Sequence, residues 1–360
     1  MADQATACRQ TGSLLRADAP LTGYAAHSPA EVAAMTSEFT EITVIGDDDT
    51  GLIARVTTLL FEQGINIEDL DQAVREGLFR MSMTVDASGM ECTKDELRAD
   101  LQELGDDLGV EVQVRFPAER QTRRIAVLVT QESHCLEALL SAWTNDELGA
   151  DVSVVIGNHD DLEPLATSYG VPFHDVGSEG GQPDEEELLE LLAEYDVDLI
   201  VLARYMRILS PNVVFRYEDR IINVHPSLLP SFPGARAYEQ ARQEGVRIAG
   251  VTAHYVTTDL DQGPIITQRA FDVPDGADAE ELERRGQPLE AEALLEAVRL
   301  HLEGEIHVHR GRTHLRDEAE PSAYQLGLSR EAHLANPDRP VDGLGDAVAS
   351  DDADAGSSTD

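Results

Sequence analysis

IINVHPSLLPSFPGARAYEQARQEGVRIAGVTAHYVTTDLDQGPIITQRAF, residues 221–271, holds two short apolar runs, Ile221–Ile222 and Ile248–Val251, each with the composition of a strand end. Asn223 and His225 follow the first run at alternate positions, so on a strand they project from one face. Pro226 then stops the ladder, because it has no N–H to donate. The second run ends in His254, and Asp261 lies in the turn-rich segment TTDLDQGP that follows. An amide, an imidazole and a carboxylate therefore stand at strand exits, where ligands bind in open α/β sheets. No Ser or Cys lies beside His225 to act as a nucleophile, and no second His shares a helix turn with it, so no metal is expected. An amide donor with an imidazole can stabilise an oxyanion. A carboxylate can take a proton from an attacking amine or water. The expected chemistry is acyl transfer or hydrolysis at a small carbonyl, through a tetrahedral intermediate.

Outward from that stretch, apolar strands alternate with helical patterns. IAVLVT, DVSVVIGNH and VDLIVLARY are buried-strand runs, and QESHCLEALLSAW, LEPLATSYG and DEEELLELLAEYD are the helices between them. Such alternation predicts a Rossmann-like, mostly parallel sheet with right-handed crossovers over residues 124–315. LEAEALLEAVRLHLEGEIHVHRGRT closes it with a helix and a small hairpin.

Residues 38–116 read differently. FTEITVIG alternates as a half-buried strand does, and Leu52, Ile53, Val56, Leu59 and Leu60 recur at helical spacing. Asp49 or Thr50 is the expected cap of that helix and Gly64 its end; Thr93 is the expected cap of a second helix. With a turn at Glu76–Gly77 the order becomes β-α-β-β-α-β, a ferredoxin-like arrangement. The chain is thus read as α/β with an N-terminal arm (1–37), a ferredoxin-like domain (38–116), a polar linker (117–123), the Rossmann-like domain (124–315) and an acidic, largely disordered tail (316–360). The arm is either disordered or the product of a start site placed too far upstream.

Acidic residues outnumber basic ones 69 to 27, a formal net charge of −42, and Lys94 is the only lysine. Such a chain repels itself in dilute buffer, and molar salt screens the repulsion by cutting the Debye length to about 3 Å. A cytoplasmic protein of a salt-loving cell is the expected setting. No basic stripe exists to neutralise phosphates, so nucleic acid is excluded as a partner. Three scattered cysteines imply no disulfide framework, and no apolar run approaches a membrane span.

NVHPSLLPSF, GARAYEQA and His254 followed at seven residues by Asp261 resemble the formyltransferase family that uses 10-formyltetrahydrofolate. The resemblance covers roughly residues 124–315 and implies Asn223, His225 and Asp261 as its catalytic signature. It also implies that YMRILS, residues 205–210, lines the folate pocket. There Arg207, Ile208 and Leu209 would read the pterin edge, Arg207 would meet the anionic glutamate tail, and Asp259 would face the pterin. In residues 38–116, Asp48-x-x-Gly51-Leu52-x-x-x-Val56 and Gly64-Ile65-Asn66-Ile67 resemble the ACT family of small-ligand regulatory domains. That implies an amino-acid pocket bordered by Asp49, Gly51 and Asn66 at a dimer interface; turn geometry alone is the other reading of Gly51 and Asn66.

An ACT-like domain ahead of the turn TQESHCL resembles the formyltetrahydrofolate deformylases, which transfer the formyl group to water. The turn Thr130–Cys135 lacks glycine, and Glu132 would repel a phosphorylated acceptor. HPSLLPSF departs toward the glycinamide ribonucleotide formyltransferases, so an amine acceptor stays open. A non-catalytic ACT-type sensor is the third reading, and the intact Asn223, His225, Asp261 set argues against it. The resemblance implies hydrolysis of 10-formyltetrahydrofolate to tetrahydrofolate and formate, supplying formate for purine synthesis and balancing one-carbon pools. It further implies no permanently bound cofactor, a folate substrate, a glycine or methionine effector, and a homo-oligomer.

Overall fold

A computed structural model describes residues 39–116, 122–178 and 180–315. The expectations for the N-terminal arm, for residues 117–121 of the linker and for the acidic tail lie outside the described residues. In the first unit, β1 (Phe39–Asp47), α1 (Leu52–Glu62), β2 (Asn66–Arg75), β3 (Leu78–Asp86), α2 (Lys94–Leu108) and β4 (Val110–Arg115) follow the expected order. The sheet runs β2-β3-β1-β4, with every neighbouring pair antiparallel. Alternation places Ile42 and Val44 of β1 and Met81, Met83 and Val85 of β3 on one face, against Leu52, Val56 and Leu60 of α1 and Leu97 and Leu101 of α2. Burial of such side chains stabilises by roughly 1.5–3 kcal/mol each.

The helix ends differ from one another. Thr93 caps α2 as expected, in a reciprocal box with Glu96: Glu96 N donates to Thr93 Oγ1 at 3.2 Å and Thr93 N to Glu96 Oε2 at 2.8 Å. The cap of α1 is Gly51 rather than Asp49 or Thr50. Gly51 takes φ of 90°, which turns the chain so that the preceding side chains miss the helix end. Asp49 Oδ1 instead accepts from Thr50 N at 2.6 Å. The first-turn N–H groups of α1 therefore have no side-chain cap.

The second unit is a seven-stranded sheet. Its strands are β5 (Arg123–Val129), β6 (Ala150–Gly157), β7 (Phe173–Asp175), β8 (Leu199–Ala203), β9 (Ile221–His225), β10 (Ile248–Tyr255) and β11 (Ile265–Asp272), in the order β11-β10-β9-β8-β5-β6-β7. From β7 to β9 the pairs are parallel, and β10 and β11 add antiparallel strands at the other edge. Helices α3 (His134–Thr144), α4 (Glu163–Ser168), α5 (Glu185–Glu194), α6 (Pro211–Arg216), α7 (Ala237–Glu244) and α8 (Ala279–Leu302) surround it. Ile125, Val127 and Val129 face α3 and α8, while Ala126 and Leu128 face α5, which is why IAVLVT is apolar throughout. The chain leaves β5 toward β6 and β7 and returns at β8, so the topological switch point lies between β5 and β8. Helix α8 begins ten residues before the expected Leu289, capped by Asp278, which accepts from Glu281 N at 2.9 Å; Pro288 lies inside it. A hairpin of β12 (Ile306–His309) and β13 (Arg312–Leu315) ends the described chain. No described helix is long and apolar enough to cross a membrane.

The two units meet through charges. Arg80 of β3, 2% exposed, pairs with Asp71 of its own sheet and with Glu218 after α6, and its guanidinium lies 5.5 Å from the centre of the Phe215 ring. Arg115 pairs with Asp198, whose other oxygen accepts from Arg124 N at 2.9 Å. At the tip of the β2–β3 hairpin, Arg75 reaches Asp259 at 3.3 Å.

Candidate active site

Strand β9 ends in Asn-Val-His, and the period of two carries Asn223 and His225 to the same face. Antiparallel pairing of β10 sets His254 directly across from Asn223. The loop from Val256 to Pro264 then folds back: Tyr255 N donates to Pro264 O at 2.9 Å, and a Cβ on Gly263 would stand 1.7 Å from the Tyr255 carbonyl. Only glycine permits that return, and the return brings Asp261, at φ of 54°, over the strand ends. The side chains of His225, His254 and Asp261 are 6%, 2% and 7% exposed.

The hydrogen bonds fix orientations. His254 Nδ1 lies 2.8 Å from the Tyr255 carbonyl, so that nitrogen carries the hydrogen and Nε2 is an acceptor. Asn223 Nδ2 donates to it at 3.3 Å, which uses one of the two N–H groups of the amide. Burial pushes the His254 imidazole down from its ordinary value, against its bond to Tyr255 and the charge of Asp261, so it remains a neutral acceptor near pH 7. His225 Nε2 donates to the Phe232 carbonyl at 2.9 Å, and its Nδ1 faces Asp261 Oδ2 at 3.4 Å. Asp261 Oδ2 also accepts from Gly234 N at 2.6 Å. Its Oδ1 lies 3.9 Å from His254 Nε2 and keeps lone pairs for the site. The loop carrying Phe232 and Gly234 is itself tied down: Leu229 N donates to Thr252 Oγ1 at 3.0 Å, and Gln268 Nε2 to the Leu229 carbonyl at 3.1 Å.

Asn223, His225 and Asp261 thus come together, and His254 joins them as the group that aims the Asn223 amide. Sequence reading placed His254 at a strand end without a role, because a cross-strand partner is set by register. His254→Phe is expected to keep the fold and lower kcat about tenfold with KM little changed, since only the aim of the oxyanion donor is lost. Steady-state turnover measures both constants; an unchanged kcat would remove His254 from the site.

The other expected residues divide. Leu209 is buried and Ile208 is 73% exposed. Arg207 reaches a glycine loop: Nε donates to the Gly181 carbonyl at 2.7 Å and Nη2 to the Gly180 carbonyl at 2.8 Å. These two bonds fix the orientation of the guanidinium and brace the loop. Asn158 Nδ2 holds the same Gly181 carbonyl at 2.8 Å, and Thr130 Oγ1 links Asn158 to Met206 N. Asp259 is exposed and turns to Arg75. In the first unit, Asn66 shares a sheet row with Phe39 and Asp86, whereas Asp47, which leads into Asp49 and Gly51, shares one with Leu78. Eight rows at about 3.3 Å separate them by roughly 26 Å. One chain therefore does not close a pocket from Asp49, Gly51 and Asn66 together.

A buried charge network, absent from the sequence reading, spans the switch point. Arg204, after β8, pairs with Glu132, after β5, at 2.8 Å and with Glu290 of α8 at 3.4 Å. His134 Nε2 lies 3.0 Å from Glu290 Oε2, and the Tyr238 hydroxyl donates to Glu290 Oε1 at 2.6 Å. Burial opposes the Glu290 charge, but His134, Arg204 and Tyr238 outweigh it and hold the carboxyl below its ordinary value. Its sequence signal is a glutamate on the apolar stripe Glu290, Ala293, Leu294, Ala297 of α8. Cys135 beside it is fully buried, and burial pushes its thiol well above the ordinary range, which makes it a structural thiol.

A formyl transferase family model matches residues 123–298, and an ACT domain model matches residues 39–115. The chain is 38% identical over 275 residues to the formyltetrahydrofolate deformylase of Bacillus subtilis, covering 74% of this chain and 90% of that protein. Against the formyltetrahydrofolate deformylase of Escherichia coli K12 it is 38% identical over 274 residues, 76% of this chain and 96% of the other. The crystal structure of a formyltetrahydrofolate deformylase from Pseudomonas syringae pv. tomato superposes with a TM-score of 0.53 at 31% identity, over 80% of this chain and 98% of that one. Glycinamide ribonucleotide transformylase 1 from Symbiobacterium toebii gives 0.52 at 37% identity, over 55% of this chain and 95% of its own.

Proposed function

The chain belongs to the formyltetrahydrofolate deformylase family, and on that premise we infer that Asn223, His225 and Asp261 carry its hydrolysis of 10-formyltetrahydrofolate to tetrahydrofolate and formate. The observation that carries this reading is the Asp261 carboxylate, held by Gly234 and facing His225, with one oxygen left toward the site. Water gives a proton to Asp261 Oδ1 as its oxygen bonds to the formyl carbon. The carbonyl oxygen takes the negative charge and is met by the second N–H of Asn223, beside His225, whose Nδ1 faces the Asp261 carboxylate. The C–N10 bond then breaks, the electron pair stays on N10, and the proton held by Asp261 passes to it. The collapse yields formic acid, which gives up its remaining proton to water, so formate, tetrahydrofolate and one proton leave without a covalent enzyme intermediate.

Exposed Met206, Ile208 and Leu260, from the two segments that border the site, offer apolar surface for the flat pterin, with the backbone of Ile208 and Leu209 beside it. The folate is a substrate and not a resident cofactor. Water is favoured over a phosphorylated amine as acceptor because Glu132 and Glu290 flank the switch-point crevice and already hold Arg204. The test is formate release from 10-formyltetrahydrofolate in high salt, with and without glycinamide ribonucleotide. One formate per tetrahydrofolate in both arms is expected; a formylated amine in the second arm would overturn it.

An ACT domain points to an amino-acid effector, and we propose glycine or methionine. The uncapped start of α1 at Gly51 offers N–H groups to a carboxylate, and Asn66 would come from a second copy of the chain, in a homo-oligomer. Asp48 N donates to Gly77 O at 3.1 Å, and the same hairpin carries Arg75 to Asp259, two residues before Asp261. Titration of the full chain with each amino acid, alongside formate release, tests this. No heat and no change in rate would leave the domain as a packing module.

A further inference from the structure

We propose that the outer face of the terminal hairpin β12–β13 binds one divalent transition-metal ion through His307, His309 and His314. The hairpin has two unlike faces. Ile306, Val308 and Leu315 pack against the main core, and the Thr313 hydroxyl donates to the Ile265 carbonyl. The other face carries His307 and His309, two apart on β12, with His314 and Arg312 on β13. His307 pairs with His314 in register, and His309 pairs with Arg312. Three of the chain's 11 histidines therefore share one face of a ten-residue hairpin, all of them exposed.

The spacing suits a metal. An ion held tetrahedrally by imidazole nitrogens at about 2.0–2.1 Å places the ring centres about 5 Å apart. The His307 and His314 rings are 5.5 Å apart, and those of His309 and His314 are 6.3 Å apart. The rings now stack, at 26° between planes for the first pair, so the ligand nitrogens converge only after side-chain rotation. At exposed positions that rotation displaces water and little else. Three imidazoles without a carboxylate select zinc, nickel or copper over magnesium or calcium, which prefer oxygen. The outward face leaves a fourth position to water. Arg312 is the opposing charge there, and its long stem can swing away; the net charge of −42 draws cations to the surface as a whole.

Among the described residues, the trio whose ligand atoms already lie within 4.8 Å of one another is His134, Cys135 and Glu290. That cluster is not the better site. Its carboxylate is shared by His134, Tyr238 and the Arg204 cation, and a second cation would be repelled there.

The test uses the untagged full-length chain, stripped of metal by a chelator, in high salt with excess magnesium to occupy surface carboxylates. Zinc is titrated by calorimetry and cobalt(II) by absorbance. One equivalent is expected, with the intense visible bands of tetrahedral, nitrogen-ligated cobalt and no thiolate charge-transfer band. His309→Asn should weaken it at least tenfold, and the triple variant of all three histidines to Asn should abolish it. Melting temperature and formate release of the variants, without metal, should match the wild type, because the three side chains are exposed among the described residues. A triple variant that keeps the equivalent, a His134→Asn variant that loses it, or a wild type with no saturable equivalent would each overturn the proposal.

Discussion

Asp261→Asn lowers kcat by roughly 10²–10⁴-fold and leaves the fold in place. The amide is nearly isosteric, and its oxygen can still accept from Gly234 N, where the carboxylate accepts at 2.6 Å. It offers no base to water, and it cannot hold the proton that N10 needs on leaving. The loop should keep its course, since Gly263 and the bond from Tyr255 N to the Pro264 carbonyl set the turn without Asp261. KM should change little, because the lost interaction belongs to the transition state. Steady-state formate release, with a thermal midpoint in the same buffer, decides it. A folded variant that retains more than a tenth of the wild-type kcat would show that another group takes the proton.

Arg80→Ala is expected to cost about 1–3 kcal/mol, chiefly through the packing lost at a 2% exposed side chain, since its partners Asp71 and Glu218 are 69% and 37% exposed and can turn to water. Arg80 is buried between Asp71, Glu218 and the Phe215 ring. Asp219 lies in the same field: burial pushes its carboxyl from 3.8 up to about 6, and Arg80 is the main influence that opposes the rise. The sign follows from the direction of that shift. The folded state binds the Asp219 proton more tightly than the unfolded state, so this stabilisation is present below about pH 4 and lost as pH rises through 6. Without Arg80 the carboxyl rises further, and its protonation relieves more. The deficit of Arg80→Ala should therefore shrink between pH 7.5 and pH 5.5. Denaturant unfolding of variant and wild type at both pH values reads this directly. A deficit under about 1 kcal/mol, or one that widens on acidification, would mean that the seam is held by other contacts.

Much of this molecule is legible in its sequence, for a reason that particular residues make plain. The alternation of Ile42 and Val44, the spacing of Leu52, Val56 and Leu60, and the unbroken run IAVLVT are local periods, and a local period dictates the element that can bury it. Asn223 and His225 share a face because a strand repeats every two residues, and Asp261 falls in a turn that its own glycine and proline announce. The order of elements then makes β5 to β9 parallel, with Asn223 and His225 toward the carboxyl end of β9.

Partners were a different matter. His254 faces Asn223 because β10 pairs with β9 in one register, and Glu290 is buried because α8 crosses the switch point beside Arg204 and Tyr238. Arg207 is oriented by two carbonyls, those of Gly180 and Gly181, which only the fold brings to it. Asp259 turned to Arg75, 184 residues away. Asn66 and Gly51, close in sequence, lie at opposite ends of one sheet because α1 carries the chain across its full length. A side chain's period is written in its neighbours along the chain. Its partner is settled by register and packing across the fold, and those are sums over residues that no local stretch contains.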